Sequence, residues 1–376
     1  MPFTATPMFP GDLYDTMDHM AATAAPVRSE NQKDQASATW QQILALGWQG
    51  VVIEENSGGV GAALADFAAI AEAAGRHAVA LPLIARCVVA PMLLAAAQPG
   101  SARGLLERVS AGQASVCPVI HASGDQKLRA SKNSDGQYVL EGELRGADLT
   151  EPASHLAFNT FTGPDATPLL LLLTISKLPA NTRYFKGIDG RRTADIPLSG
   201  VVVETDQVLR QGEAVHAVLQ DAEATGAVMN CVQTVGALGV MIEQTITYLS
   251  TRVQFGAALS TFQVLRHRTV DMYVAFEGAR GLVKQVAEAM SSEPMAKYAH
   301  HRDAALTKLY LTTVGRMVAE STIQLHGGMG MTVEMPAARL AIHTLMCNLQ
   351  HGDRLHYLDH LSAQMAADLQ ACARSI

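Results

Sequence analysis

Two stretches decide how this chain folds: Arg252-Val-Gln-Phe-Gly-Ala-Ala-Leu-Ser-Thr-Phe-Gln263 and, downstream, Gln324-Leu-His-Gly-Gly-Met-Gly330. Together they set a cation, an aromatic ring and side-chain amides beside a glycine pair, which is the equipment for holding a dinucleotide's pyrophosphate and adenine. A guanidinium offers a planar fork of donors to phosphate oxygens. Gly-Gly lets the backbone approach an anion closely. A blander account has Arg252 closing a helix C-terminus and Gly327-Gly328 making a tight interhelical turn. Either stretch alone supports both accounts; the pair favours a bound dinucleotide.

Composition frames that reading. At 376 residues, with 48% hydrophobic content and a mean hydropathy of +0.12, the chain can bury a large core and is too long for one typical domain. A net charge of -7 and a pI near 6.0 imply no basic face, which argues against a nucleic-acid or anionic-membrane partner. The five cysteines, Cys87, Cys117, Cys231, Cys347 and Cys372, are odd in number, scattered and never in a Cys-x-x-Cys pair. They read as reduced core thiols of a cytoplasmic protein. The N-terminus shows no basic region followed by an apolar core, and no uninterrupted run of about 18 apolar residues occurs. The run Leu169 to Leu173 reads as a buried strand.

Working outward, three zones emerge. From about residue 12 to 115 the sequence is Ala-rich with helical spacing, interrupted at Gly58-Gly59-Val-Gly61, Pro82, Pro91 and Pro99-Gly100. From 116 to 210 short β-rich runs appear at Ser115 to Ile120, Tyr138 to Glu141, Pro168 to Ile175 and Val201 to Glu204. Asn133-Ser-Asp-Gly136 and Gly187-Ile-Asp-Gly190 serve as turns between them. From 211 to 376, long segments with 3.6-type spacing run over Ala217 to Thr251, Phe262 to Ser291, Ala299 to His326 and Ala337 to Arg374. The expected architecture is α+β and multidomain. It has a helical domain over 1–115, a small β-barrel or sandwich over 116–210 and a four-helix bundle over 211–376.

The motifs give that order a likeness. Arg252-x-Gln-Phe255-Gly with Phe262-Gln263, and Gln324-x-x-Gly327-Gly328-x-Gly330, resemble the two C-terminal flavin elements of the acyl-CoA dehydrogenase family. Leu46-Gly47, Gly58-Gly59-Val-Gly61 and Glu72-Ala-Ala-Gly75-Arg76 look like its Gly-rich turn and following helix. The likeness covers nearly the whole chain. It implies the helical, β, helical-bundle fold, FAD as cofactor, and the oxidation of an acyl-CoA to its trans-2-enoyl-CoA. An electron-transferring flavoprotein would take the electrons. By resemblance Arg252 meets the pyrophosphate, Phe255 packs on the cofactor, Gln263 and Gln324 hydrogen-bond it, and Gly327 and Gly328 offer backbone N–H groups. In that family these elements reach across a subunit interface to FAD bound mainly by the neighbouring subunit.

The active-site half departs from the family. The usual Thr-Glu-Pro segment is replaced by Cys117-Pro-Val-Ile-His-Ala-Ser-Gly-Asp125, and Trp-Ile-Thr, whose Trp and Thr lie over the isoalloxazine, by Glu143-Leu-Arg-Gly-Ala-Asp-Leu-Thr150. The only tryptophans are Trp40 and Trp48. Removing a proton α to a thioester while hydride leaves the β carbon needs a carboxylate against the α carbon. At the family's usual base position, in Gln350-His-Gly-Asp353, stands His351; a second subgroup's position falls near Gly226, one turn from Glu223. His351 titrates near neutrality, with Asp353 or Asp359 to orient it, yet it also reads as an ordinary helix-start histidine. Glu223 reads as a first-turn helix acid. Places where the family contacts FAD after the base hold Asp353 and Leu355. His356 and His360 have the i, i+4 spacing of metal ligands, but their aromatic, apolar surroundings favour no metal.

One half of a flavin site is thus kept and the other lost in several places. That asymmetry is similar to the heteromeric α2β2 acyl-CoA dehydrogenases of steroid side-chain degradation, as is Gly187-Ile-Asp-Gly-Arg-Arg-Thr-Ala-Asp195-Ile-Pro-Leu198. The chain is expected to lend Arg252, Phe255, Gln263 and Gln324 to a flavin whose base belongs to a second, acyl-CoA dehydrogenase-like subunit. The alternatives are a self-sufficient homomeric flavoenzyme using His351 or Glu223, and a flavin-free structural subunit.

Overall fold

The structure is a computed structural model that describes residues 3–24, 32–98, 103–120, 128–292, 297–332 and 335–374. The helices are α1 (Asp12–Ala24), α2 (Gln32–Ala45), α3 (Leu64–Arg76), α4 (Ala90–Ala95), α5 (Arg103–Ser110), α6 (Ala214–Thr251), α7 (Gln263–Ser292), α8 (Lys297–His326), α9 (Pro336–Leu349) and α10 (Arg354–Arg374). The chain divides into two compact units, one of Met1–Gln32, Leu64–Val79 and Ala227–Ile376, the other of Lys33–Ala63 and Ala80–Gly226.

In the first unit α1 and α3 join the C-terminal helices. The small residues of α3 and α6 let their backbones touch: a Cβ on Gly75 would lie 1.9 Å from the Gln233 carbonyl oxygen, and one on Gly236 2.2 Å from that of Glu72. Gly75, read in the sequence as part of a motif, is therefore a helix-crossing glycine. Its neighbour Glu72 is buried and accepts the amides of Met8 (2.8 Å) and Phe9 (3.0 Å), pinning the N-terminal segment. Burial pushes this carboxyl up, against the pull of those amides and of Arg76. By length and composition α6 could cross a membrane, but 94% of its most apolar window is buried within the protein, as in a core helix.

The expected last helix, Ala337 to Arg374, is in fact two. It breaks between Leu349 and Arg354, where His351 (φ 52°) and Gly352 (φ 87°) are both left-handed. A Cβ on Gly352 would lie 2.6 Å from the Tyr357 ring. Asp353 then restarts the helix, its Oδ1 accepting the His356 amide at 2.9 Å.

In the second unit α2, α4 and α5 accompany ten strands: β1 (Val116–Val119), β2 (Arg129–Lys132), β3 (Tyr138–Glu141), β4 (Glu143–Asp148), β5 (His155–Thr162), β6 (Thr167–Thr174), β7 (Arg183–Lys186), β8 (Arg192–Pro197), β9 (Val202–Val203) and β10 (Val208–Gln211). One sheet runs β10-β6-β5-β2-β3-β9 with β1 also on β5; the other is β4-β8-β7. No closed barrel forms. The two sheets share one core, in which Leu144, Ala194 and Ile196 pack with Leu156, Phe158, Leu169 and Leu171. Both expected turns are present, between β2 and β3 and between β7 and β8.

Pro91 does not break its helix. The chain enters α4 through a π-turn over Ala85–Val89, which puts Pro91 in the first turn, where its missing N–H costs little. The π-turn carries Arg86, fully buried, whose guanidinium donates to the carbonyls of Asp148 (3.1 Å), Glu151 (2.6 Å) and Pro152 (2.7 Å) and lies over the Trp40 ring at 5.5 Å. The Gly58 turn is likewise structural. The amides of Gly58, Gly59, Val60 and Gly61 all donate to backbone carbonyls between residues 50 and 55. Pro99-Gly100 lies outside the described residues.

Candidate functional site

The first motif is built at the end of α6. The Arg252 amide closes the helix on the Tyr248 carbonyl at 2.8 Å, as the blander account expects, while its side chain is exposed. A two-residue hairpin follows, β11 (Val253–Gln254) against β12 (Ala257–Ala258), with Phe255 (φ 57°) and Gly256 (φ 79°) at its tip. Positive φ at both positions is the turn that suits a hairpin's twist, but it strains a bulky aromatic residue. Phe255 nevertheless holds that place with 90% of its surface exposed, its ring edge-on to Phe262 at 6.2 Å. The Leu259 amide returns to the Arg252 carbonyl at 2.9 Å, and α7 begins at Gln263. Among the described residues, the side chains of Arg252, Gln263 and Gln324, all exposed, have no polar partner.

The second motif closes α8. Gly327 has φ 60°, and Gly327 and Gly328 are exposed, with no atom within 4 Å of where a Cβ would stand. Gly330 is different: a Cβ there would lie 2.7 Å from the Ile323 carbonyl oxygen and 2.9 Å from His326 Cβ, so it folds the turn back on its own helix.

Two contacts bring the motifs together. Tyr248, one turn before Arg252, stacks on His326, the residue before Gly327, at 4.6 Å between centroids and 27° between planes. Arg268, early in α7, donates Nε to Ser321 Oγ of α8 at 3.2 Å. The sequence reading missed Tyr248, Arg268 and Ser321 as site-builders. Helical spacing from Arg252 and Gln324 was a signal for Tyr248 and Ser321, and Arg268, five residues past Gln263, carried none.

His351 and Glu223 stand apart from this edge in character. The His351 carbonyl accepts the Tyr357 hydroxyl at 2.6 Å, and Asp353 Oδ1 accepts the His356 amide at the start of α10. Beneath this turn lies Lys308 of α8, buried, its Nζ donating to Asn230 Oδ1 (2.9 Å) and to the carbonyls of Cys347 (2.7 Å) and Gln350 (2.8 Å). Burial pushes this ammonium below the ordinary lysine range. Glu223 is half-buried and lies nine residues past the start of α6 at Ala214, so it is not a first-turn acid. Gly226 is buried in the same helix. His360 Nε2 lies 2.9 Å from Gln364, and His356 sits edge-on to Tyr357. No cluster of three or more metal-ligating side chains occurs among the described residues. Cys87, Cys117, Cys231 and Cys347 are buried and outside any disulfide, and burial pushes the first three thiols up to about 12, which disfavours their thiolates. The side chain of Cys372 lies outside the described residues.

Comparison with known proteins gives the arrangement its place. Residues 13–113 match the family model for the N-terminal domain of acyl-CoA dehydrogenases, and residues 217–354 that for the C-terminal domain. This chain belongs to the acyl-CoA dehydrogenase family. It is 28% identical over 315 residues to acyl-CoA dehydrogenase IpdE2 of Mycobacterium tuberculosis, covering 84% of this chain and 81% of that one. Its fold is that of a chain of the ChsE4-ChsE5 complex of Mycobacterium tuberculosis, with TM-score 0.82, 20% identity, and 97% and 99% of the two chains covered. It is also that of a chain of the Tcur3481-Tcur3483 steroid ACAD, with TM-score 0.81, 23% identity, and 95% and 98% covered. The chain is accordingly an FAD-dependent oxidoreductase of the acyl-CoA class.

As an acyl-CoA dehydrogenase, the chain fits FAD on one side. An exposed guanidinium, an exposed ring, two uncommitted amides and two glycines with open space beside them are what a pyrophosphate and its adenosine need. The sheet unit is different where the family carries its Trp-Ile-Thr. There β4 has an irregularity between Leu144 and Ala147, and Gly146, exposed at φ 72°, offers no ring. Asp148 accepts Thr150 Oγ1 at 2.6 Å, and Arg86 holds its carbonyl. Trp40 and Trp48 are both buried. Of the stretch replacing Thr-Glu-Pro, 121–125 lies outside the described residues.

Proposed function

We propose that this chain is one subunit of a heteromeric, FAD-dependent acyl-CoA dehydrogenase, in which it supplies the cross-interface half of the flavin site and a related subunit supplies the base. The observation that carries the reading is the contrast within this chain. Arg252, Phe255, Gln263 and Gln324 present exposed recognition groups, whereas no carboxylate stands at His351 or Gly226. The surface around the first motif is apolar, with Val253, Val264, Val270 and Val274 all exposed, and that suits burial against another subunit. The similar structures, one the ChsE4-ChsE5 complex and one the Tcur3481-Tcur3483 steroid ACAD, support a like-folded partner and a steroid side-chain thioester as substrate.

Bound FAD supplies the acceptor for hydride. This chain's part would be to bind and orient: Arg252 and the Gly327-Gly328 backbone N–H groups would hold the pyrophosphate, and Phe255 would shield the cofactor from solvent. An electron-transferring flavoprotein is the expected electron acceptor, and an α2β2 assembly the expected stoichiometry.

The test is flavin absorbance of the chain expressed alone and with a like-folded partner chain from the same genome, together with Arg252→Ala in the assembly. The chain alone should be colourless and the assembly yellow. Arg252→Ala should weaken FAD binding by about 1.5 to 3 kcal/mol, the worth of a charge-assisted hydrogen bond, roughly ten- to a hundredfold. Unchanged FAD content in that variant overturns the reading.

A further inference from the structure

Of the two contacts that bring the motif elements together, the Tyr248–His326 stack lies next to both Arg252 and Gly327, and its chemistry is unusual. His326 is the last residue of α8 and is 2% exposed. Its Nδ1 lies 2.8 Å from the Thr322 carbonyl, an acceptor, so Nδ1 carries the hydrogen. Its Nε2 is then a bare acceptor, buried and without a partner. Burial pushes this imidazole below the ordinary histidine range, against the pull of the Thr322 carbonyl. One face of the ring is covered by Tyr248, whose carbonyl receives the Arg252 amide; the next residue is Gly327, and Gly330 closes back on its Cβ. Leaving a buried nitrogen unpartnered costs stability that an aliphatic side chain would avoid. The planar ring offers in return a fixed spacing between the end of α6 and the end of α8, hence between Arg252 and the glycine pair.

We propose that His326 is a positioning residue for FAD: its planar ring, stacked on Tyr248, sets the distance between Arg252 and the Gly327-Gly328 backbone so that both engage one pyrophosphate. This rests on the reading of those residues as the flavin half-site. The ring touches no cofactor itself and acts through the two elements it joins. A pyrophosphate is a short, rigid anion, so a small splay between its guanidinium and its backbone donors sacrifices one of them. Shape rather than hydrogen bonding at Nε2 is what the site uses.

The experiment is a double-mutant cycle on FAD affinity, made with the co-expressed assembly. Apo-assembly of wild type, His326→Leu, Tyr248→Leu and the double variant is titrated with FAD, following flavin fluorescence, and each apo-assembly's melting temperature is recorded. His326→Phe, which keeps a ring and drops both nitrogens, is the rescue variant, and Arg252→Ala is the reference. Each single leucine variant should weaken FAD binding about five- to tenfold, the double should be no weaker than the worse single, and His326→Phe should bind within about twofold of wild type. Activity lost in the leucine variants should return at saturating FAD. Unchanged affinity in His326→Leu, or effects that simply multiply in the double variant, overturns the proposal. Should His326→Leu fail to assemble, Tyr248→Leu and His326→Phe decide alone: wild-type affinity in Tyr248→Leu, or leucine-like loss in His326→Phe, overturns it. If Arg252→Ala retains FAD, the half-site reading itself has failed; if only the His326 variants retain it, the positioning role alone is lost.

Discussion

Two turns in the helical unit can be laid side by side. The first joins the hairpin tip at Phe255 to the glycine turn at Gly327, and the second is the interhelical break at His351-Gly352; all four residues are left-handed, with φ of 57°, 60°, 52° and 87°. At the first, the polar side chains point outward without partners and a Cβ on Gly328 would meet open space. At the second, Lys308 fills the space beneath, Tyr357 takes the His351 carbonyl, Asp353 caps α10 and the Tyr357 ring closes over Gly352. A turn kept for another molecule leaves its groups uncommitted; a turn kept for the fold spends them inward. By resemblance to the family both turns are expected at the active site, and their divergence within one chain is what the proposed division of labour between subunits would leave.

The largest effect expected from this contrast is at Lys308. Lys308→Met removes three charge-assisted hydrogen bonds and leaves the acceptors of Cys347, Gln350 and Asn230 buried; methionine fills most of the volume, so the net loss should be about 3 kcal/mol. Urea unfolding of the assembly measures it. FAD affinity at the other turn should stay within about twofold. A loss of FAD as large as that in Arg252→Ala would mean the two turns are coupled, and the contrast would break.

That lysine also marks where the sequence stopped being readable. In Ala-Leu-Thr-Lys308-Leu-Tyr it looks like a solvent-facing helix position, since nothing local says that helix-end carbonyls forty residues away will receive it. For the same reason the Ala337 to Arg374 segment looked continuous: its apolar spacing runs through the break, and only left-handed φ and a buried cation make the interruption. Bundle helices were legible because their spacing and end signals are local; the structure ends α8 at His326 and starts α7 at Gln263, where the motifs had placed the boundaries. Strands fared worse. β7 is exposed at all four residues and β5 mixes His, Asn and Thr into its apolar run, so neither shows a clean alternation. Of the candidate site, Arg252, Gln263 and the glycine pair could be read from residue type and spacing. The ring stack that joins them could not, because Tyr248 and His326 meet only in three dimensions.

A matched pair of glycine substitutions sharpens the comparison. Gly352→Ala puts a Cβ at positive φ against the Tyr357 and His356 rings, at 2.6 and 2.7 Å, and should cost about 2 kcal/mol of stability with little effect on FAD. Gly328→Ala meets no atom, so stability should change by less than about 0.5 kcal/mol. Its FAD affinity should fall several-fold, because the new methyl group stands where the pyrophosphate would approach the backbone. Differential scanning of each apo-assembly beside an FAD titration separates the two outcomes. A Gly328→Ala variant with undiminished affinity would show that the cofactor does not come close to that turn.

The smallest effect, and the one that bears most on the division of labour, is expected at His351. Its carbonyl is engaged by Tyr357, and Asp353, the carboxylate nearest in sequence, receives the His356 amide at the start of α10. If the partner subunit carries the base, His351→Gln in the assembly should leave kcat within about twofold, and the pH profile of kcat/KM should keep the same inflections. A histidine base would show the opposite: glutamine cannot accept the α-proton, so kcat would fall by about two to four orders of magnitude, the usual worth of a positioned general base. The inflection near neutral pH would vanish with it. Because the substitution keeps side-chain length and an amide for hydrogen bonding, a collapse in rate with an unchanged melting temperature could be assigned only to chemistry at this position, and the turn at His351 would then have to be counted as catalytic after all.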